Sequence, residues 1–340
     1  MILRVVQHGA CARKKELMKN LPRFVLALLA FTAIGAAAQN YPSRGINLIV
    51  PFAAGGPSDA LARLIAQSMS ATLGQQVAID NVTGAGGTLG AAKSAQARPD
   101  GYNLLLSHIG QSDSVTLYRK LPYDPVGAFD SIGLIAEVPM VVVGRKDLPP
   151  KDIGELIAYI KTNKDKITYG NGGVGSASHF CGLLLMSALQ VEMTTVSYRG
   201  SAPAMLDVLG GRLDLLCDQT TTTTSHMRAA TIRGYAVTMK TRVPAAPELP
   251  TLSEAGLRDF DLSVWYGLVA PKGTPKPIVD QIAAALRTAL TDATVVKRLA
   301  EFGAQPVSPD RATPEGAAAF LRADVTKWAP VIKAAGVYAD

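Results

Sequence analysis

The sequence predicts an α/β protein of two lobes, and three observations carry that prediction. Short β-branched runs alternate with helical patterns along most of the chain. Two strand-to-helix junctions are rich in glycine, one early and one in mid-chain. The chain has 340 residues, and a single hydrophobic core seldom grows past ~250–300. Alternation of strand and helix implies a parallel sheet with helices on both faces.

The elements follow in order. A strand is expected over 46–50. Leu61, Leu64, Ile65, Met69 and Leu73 then share one face of a helix over 58–73. Gly74 ends that helix as a left-handed cap. Strands at 77–79 and 103–106 flank a short helix at 90–97, stopped by Pro99. The apolar run 140–143 reads as a strand buried on both faces. Helices at 153–160, 177–189 and 202–209 alternate with strands at 167–169, 194–197, 213–217 and 234–237. A strand at 263–270 precedes helices at 277–290 and 314–335. In the last, Leu321, Val325, Trp328 and Ile332 form one stripe, so Trp328 reads as core packing.

Composition narrows the function classes. With 48% hydrophobic and 18% charged residues, the chain is too apolar for disorder. Its three cysteines exclude a disulfide scaffold. The net charge of +7 is unevenly spread: residues 1–38 hold six basic side chains and one acid. The remainder holds 28 basic and 26 acidic residues, which gives no nucleic-acid footprint.

The excess belongs to a leader. Lys19 and Arg23 precede an apolar core over 24–34, followed by Gly35-Ala-Ala-Ala38. This is the pattern of a secretory signal peptide, cleaved after Ala38. The run is too short for a membrane span. Met18 sits where such a peptide would begin, which makes residues 1–17 an over-extended start. Export lowers the expectation of ATP- or nicotinamide-dependent chemistry. It leaves Cys181 and Cys217, which either pair or remain buried thiols.

The first glycine-rich junction is Ile49-Val-Pro-Phe-Ala-Ala-Gly-Gly-Pro-Ser-Asp59. Gly55 and Gly56 let the backbone turn and a ligand approach. The helix start offers unpaired N–H groups and the positive dipole end, an anion site without a basic side chain. Asp59 serves there either in the site or as a cap. The second junction, Ile167-Thr-Tyr-Gly-Asn-Gly-Gly-Val-Gly-Ser-Ala-Ser-His179, repeats the device and adds the hydroxyls of Ser176 and Ser178.

Other chemistries fit less well. The G-x-G-x-x-G match at 170–175 lacks the acid that dinucleotide binding needs after the next strand, where Tyr198 and Arg199 stand. Ser176 and His179 could serve a secreted hydrolase, but they share one helical face, poor geometry for proton abstraction. No phosphate-loop motif is present, and the three mature histidines (108, 179, 226) show no metal spacing. No cofactor or metal is expected. Thr220–Thr224 reads as a solvated loop or a helix start. Two anion-receptive turns on two lobes make a clamshell that buries its ligand.

Eight motifs, in order, carry a resemblance. They are Val50-Pro-Phe-Ala-Ala-Gly-Gly-Pro-Ser-Asp59, Asn81-Val-Thr-Gly-Ala-Gly-Gly-Thr-Leu-Gly90, Pro99-Asp-Gly-Tyr102 and Leu121-Pro-Tyr-Asp124. Next come Gly173-Val-Gly-Ser-Ala-Ser-His179, Tyr198-Arg-Gly-Ser-Ala-Pro203 and Pro250-Thr-Leu-Ser-Glu-Ala-Gly256. Last is Trp265-Tyr-Gly-Leu with Pro271-Lys-Gly-Thr-Pro275. Over nearly the whole mature chain, the sequence resembles the Bug-type extracytoplasmic solute receptors of tripartite tricarboxylate transporters.

The resemblance implies a type II periplasmic-binding-protein fold, with a cleft between lobes of parallel-rich sheets. Lobe 1 would be 39–142 plus 265–340 and lobe 2 would be 143–264, joined by crossing strands near 139–144 and 262–268. It implies a periplasmic, monomeric receptor for a small organic carboxylate (a di- or tricarboxylate, an aromatic acid or an acidic amino acid). The receptor would deliver its ligand to a membrane permease; a sensor for a membrane regulator is the variant role. The ligand-binding residues carried over are Phe52, Ala53, Ala54, Gly55, Gly56, Asp59, Val174, Gly175, Ser176, Ser178 and His179. Ser107 and Asp218 stand where the family lines its cleft. The sequence departs from the family pattern at His108, Cys181, Cys217 and the threonine run.

Overall fold

The structure, a computed structural model, describes residues 41–340 except 259, 337, 339 and 340. The expected leader lies outside the described residues.

The chain begins β1 (Ile46–Val50), α1 (Pro57–Leu73), β2 (Val77–Asn81), a 3-10 turn (Ala85–Gly87), α2 (Thr88–Ala95), β3 (Asn103–His108) and α3 (Ile109–Leu117). A long strand β4 (Phe129–Arg145) leads to α4 (Ile153–Asn163), β5 (Thr168–Asn171), α5 (Ala177–Leu189), β6 (Thr194–Ser197), α6 (Ser201–Leu209), β7 (Leu215–Gln219), α7 (Thr220–Arg228) and β8 (Ile232–Val237). The chain closes with β9 (Ser263–Pro271), α8 (Lys276–Thr291), α9 (Ala293–Glu301), β10 (Gln305–Pro306) and α10 (Pro314–Ala335).

The strands run in the order β2-β1-β3-β9-β4-β7-β5-β6, with β8 and β10 also paired to β4. The β1–β2, β1–β3, β5–β6 and β5–β7 pairs are parallel. Every pair involving β4 or β9 is antiparallel. The sheet is therefore mixed, where alternation alone predicted parallel. The reason is the return of β9 from far along the chain to lie between β3 and β4, a pairing that no local pattern encodes.

β4 joins the two halves. From Phe129 to Pro139 it pairs with β9, and from Met140 to Gly144 with β7. Pro139 stands at the change of partners and has no N–H to give to either ladder. Beside it, Thr238 N–H donates to Met140 O and Leu262 N–H to Thr238 O, each at 3.0 Å, so a second segment crosses at the same level.

Burial follows the predicted stripes. Leu61, Ile65 and Met69 of α1 are buried, while Leu64 and Leu73 are half-buried. Each full burial stabilises by about 2 kcal/mol. Gly74 takes φ +66° and caps α1. Trp328 packs edge-on to Phe180, ring centroids 4.8 Å apart. Among the described residues α3 and α9 went unpredicted, and of α7 only its start at the threonine run was foreseen, as one of two readings. The threonine run opens α7 rather than a solvated loop, and Thr220, Thr223 and Thr224 are buried. Their hydroxyls bond main-chain oxygens or lie in the interior, which removes them from solvent.

Cys181 of α5 and Cys217 of β7 form a disulfide, with Cα atoms 6.3 Å apart. Closing a loop across this separation is worth about 3–4 kcal/mol in the chain-entropy account. No described helix is long and apolar enough to cross a membrane.

Candidate functional site

Five helices start at one place. Gly56, Pro57 and Ser58 open α1; His108 caps α3; Ser176 caps α5; Ser201 opens α6; Gln219 caps α7. All of these residues line a single cavity of about 30 Å³. All five helices follow the carboxyl ends of strands, β1, β3, β5, β6 and β7, where ligands sit in α/β sheets. Each start brings first-turn N–H groups and the positive end of a helix dipole. Larger grooves exist, one of about 710 Å³ along Lys164, Met186 and Gln190, but it lies at the C-terminal end of α5.

The first loop is fastened from outside the cavity. The Asp59 carboxylate accepts from Gly55 N–H at 3.0 Å, from Arg63 Nε at 2.9 Å and from Asn81 Nδ2 at 3.1 Å. Asn81 also donates to Phe52 O at 3.0 Å. Burial pushes the Asp59 carboxyl up, but these donors outweigh it and hold it below the ordinary range. Gly55 takes φ +80°, which a side chain would resist.

The second loop is held by neutral groups. Ser176 Oγ caps α5 by accepting His179 N–H at 3.2 Å. Ser178 Oγ accepts from Gly172 N–H at 2.8 Å, and Asn171 Oδ1 from Gly173 N–H at 2.8 Å. His179 Nδ1 accepts from Gly175 N–H at 3.3 Å. Burial lowers the His179 imidazole to about 4, so it stays neutral.

The floor and walls come from distant strands. Ser58 Oγ lies 3.0 Å from Tyr266 OH, which donates to Gln219 Oε1 at 2.9 Å. This chain links α1, β9 and the start of α7. Met140 and Val264 supply apolar surface. His108 packs edge-on to Phe52 at 4.8 Å, and its Nδ1 accepts from Gly110 N–H at 2.9 Å. Its ring proton therefore sits on Nε2, and burial lowers its pKa to about 4. Asp218 Oδ2 accepts from Thr222 Oγ1 at 2.7 Å. Burial raises the Asp218 carboxyl to about 6. No Lys or Arg is among the lining residues.

The cavity is closed from above. Ala53 N–H donates to Arg199 O at 3.3 Å. The Tyr118 hydroxyl lies 2.9 Å from Val174 O and 3.0 Å from Ala85 O, bridging the second loop and the 3-10 turn. Gly86, at φ +61°, approaches so closely that a Cβ there would collide with Val174 O.

Of the expected residues, Phe52, Ala53, Gly56, Ser176, Ser178 and Asp218 line the cavity. Ala54, Gly55 and Asp59 are not among the lining residues; Asp59 holds Gly55 within the first loop. Val174, Gly175 and His179 belong to the second loop's internal bonding and its contact with Tyr118. Ser107 faces Gln111, to which its hydroxyl donates. Sequence reasoning missed Ser201, Gln219, Tyr266, Met140 and Val264 as lining residues, and noted His108 only as a departure. Helix-start logic applied to every strand end would have found Ser201 and Gln219. Tyr266, Met140 and Val264 carry no local signal, because only tertiary pairing brings them in.

A family model described as a tripartite tricarboxylate transporter family receptor matches residues 61–337. A protein of Agrobacterium vitis, the UPF0065 protein in the TAR-I ttuE-ttuC' intergenic region, is 50% identical over 327 residues, 95% of this chain and 94% of its own. The solved periplasmic binding protein BugD is similar at 46% identity and TM-score 0.86, over 88% of this chain and 99% of that one. MatC from Rhodopseudomonas palustris, solved with bound malate, is similar at 38% identity and TM-score 0.83, over 86% and 100%.

Proposed function

Since the chain belongs to the tripartite tricarboxylate transporter receptor family, a family of solute receptors, we propose that it captures a small organic carboxylate in the periplasm and presents it to a membrane permease. The observation that carries the carboxylate is the meeting of five helix starts at a cavity without Lys or Arg. Aligned N–H groups and dipoles there favour an anion, and the malate bound by MatC is a relative's ligand of that class. Backbone donors recognise a carboxylate by geometry, and the exclusion of water on closure strengthens each bond.

The lobes divide as 39–142 with 265–340, and 143–264; the change of partners along β4 at Pro139 supports a division at this level. The receptor works as a monomer, since one chain supplies every wall of the cavity. A disulfide between buried cysteines accords with an oxidising compartment. The hydrolase alternative needs the His179 ring to face Ser176 Oγ. The contact these residues make runs instead from the His179 main chain, and the ring nitrogen Nδ1 serves Gly175.

Calorimetric titration with di- and tricarboxylates, aromatic acids and acidic amino acids tests the reading. The expected result is saturable binding of at least one class without turnover. Turnover of any of them, or silence across the whole panel, overturns it.

A further inference from the structure

The cavity that should hold an anion contains an acid. Asp218, next to last in β7, is 2% exposed and lines the cavity. Its carboxyl is served by three neutral donors: the Thr222 hydroxyl, Gln219 N–H and the Ser201 hydroxyl. Among the described residues, the ionisable groups in and around the cavity bring no positive charge. Tyr169 of β5 and Tyr266 of β9 are phenols pushed up by burial and by Asp218 itself. His108 at the end of β3 and His179 of α5 are held neutral by burial. Cys217 is tied in its disulfide. Among the described residues Asp218 thus has no counter-ion.

A carboxylate drawn into so small a space lies against Asp218. Two bare carboxylates in a desolvated site repel, and one of the pair takes up a proton. The shared proton converts the repulsion into a short, charge-assisted hydrogen bond.

We propose that the carboxylate ligand enters together with one proton, held between Asp218 and a ligand oxygen, so that the receptor recognises a carboxylate–carboxylic acid pair. This rests on the carboxylate reading above. The proton comes from solvent, and no other bond changes. The remaining ligand oxygens face the helix starts. Affinity then depends on pH in a defined sense. Above the value of about 6 that burial gives Asp218, each unit of rising pH costs about a tenfold loss of affinity, until the still higher value of the bound pair is passed.

The test is titration calorimetry of the whole secreted chain with malate and tartrate, in buffers of different ionisation heat, between about pH 6.5 and 8.5. The expected result is uptake of close to one proton per ligand near neutral pH, and about 100-fold weaker binding across the window. Asp218→Asn should flatten the profile and abolish the uptake. Binding that is independent of pH and exchanges no proton overturns the proposal and leaves the carboxylate reading standing. So does an Asp218→Asn protein that melts like the parent yet binds nothing at any pH, because ionised Asp218 would then be required as an acceptor. If neither acid binds the parent chain at any pH, while another carboxylate of the wider panel does, the same proton count is made with that acid. Silence of every carboxylate overturns both readings. Should Asp218→Asn fail to fold, the parent's proton count decides alone.

Discussion

The two glycine-rich loops present the same backbone to the cavity but are held in opposite ways. The first is fastened by an ion: Asp59 gathers Gly55, Asn81 and Arg63 on the side away from the cavity. Its helix start has no side-chain cap, only Gly56 followed by Pro57. The second is fastened by hydroxyl, amide and imidazole groups within the loop, and its helix is stapled to β7 by the disulfide. An anion site tolerates a carboxylate in its support when that charge is neutralised and turned outward. Where the supporting side chains themselves line the cavity, as Ser176 and Ser178 do, neutral groups hold the loop.

The largest expected effect falls on the second loop. Replacing Cys181 and Cys217 by serine should lower unfolding stability by about 3–4 kcal/mol, read in a urea titration. An unchanged midpoint would mean that the staple carries nothing and that the loops differ less than their geometry says.

Next is the place where the second loop meets the 3-10 turn. Gly86→Ala should weaken carboxylate binding about 100-fold, close to 2.7 kcal/mol. The collision with Val174 O blocks closure, whereas a left-handed alanine itself costs only about 1–2 kcal/mol. Calorimetry and a thermal melt separate the two, since the melt should move by only a few degrees.

For the first loop, Asp59→Asn should cost about 2 kcal/mol, the order of a hydrogen bond to a charged group. Because the folded Asp59 is held below its ordinary value, its contribution is complete above about pH 4 and fades as pH falls through the lower, folded value. Asp59→Asn should therefore narrow its gap to the parent in acid. A gap that is constant with pH would remove the ion from the account.

Ser176→Ala should cost about 1 kcal/mol of cap energy, with a several-fold loss of affinity. The smallest change is Arg63→Ala. The arginine is 56% exposed, so its ion pair with Asp59 should contribute about 0.5 kcal/mol and weaken in salt. A larger loss than at Ser176 would reverse the ranking of the two loops.

Much of this was legible in the sequence. The apolar stripe of α1, its Gly74 cap and both glycine turns were visible because each signal is local. α3 was not, and α7 showed only as one of two readings of its threonine run, because their sequences, IGQSDSVTL and TTTTTSHMR, lack an apolar stripe. Both bury polar side chains in tertiary hydrogen bonds, such as Ser112 to Asp324 at 2.5 Å. The N-terminal half of β4 was hidden by Asp130, Ser131, Gly133 and Glu137, which break any strand pattern. In the cavity, the loop residues could be read from motifs. Tyr266, Met140 and Val264 could not, since they meet only after β9 has returned to its place in the sheet.

Pro139 gives the longest strand a missing rung at the level where its neighbours change. A ribbon bends more easily where a rung is absent, because one bond fewer resists it there. The Thr238 bonds to Met140 and Leu262 cross that same level, so any bending there is shared with them, and Tyr118 ties the second loop to the 3-10 turn at the rim.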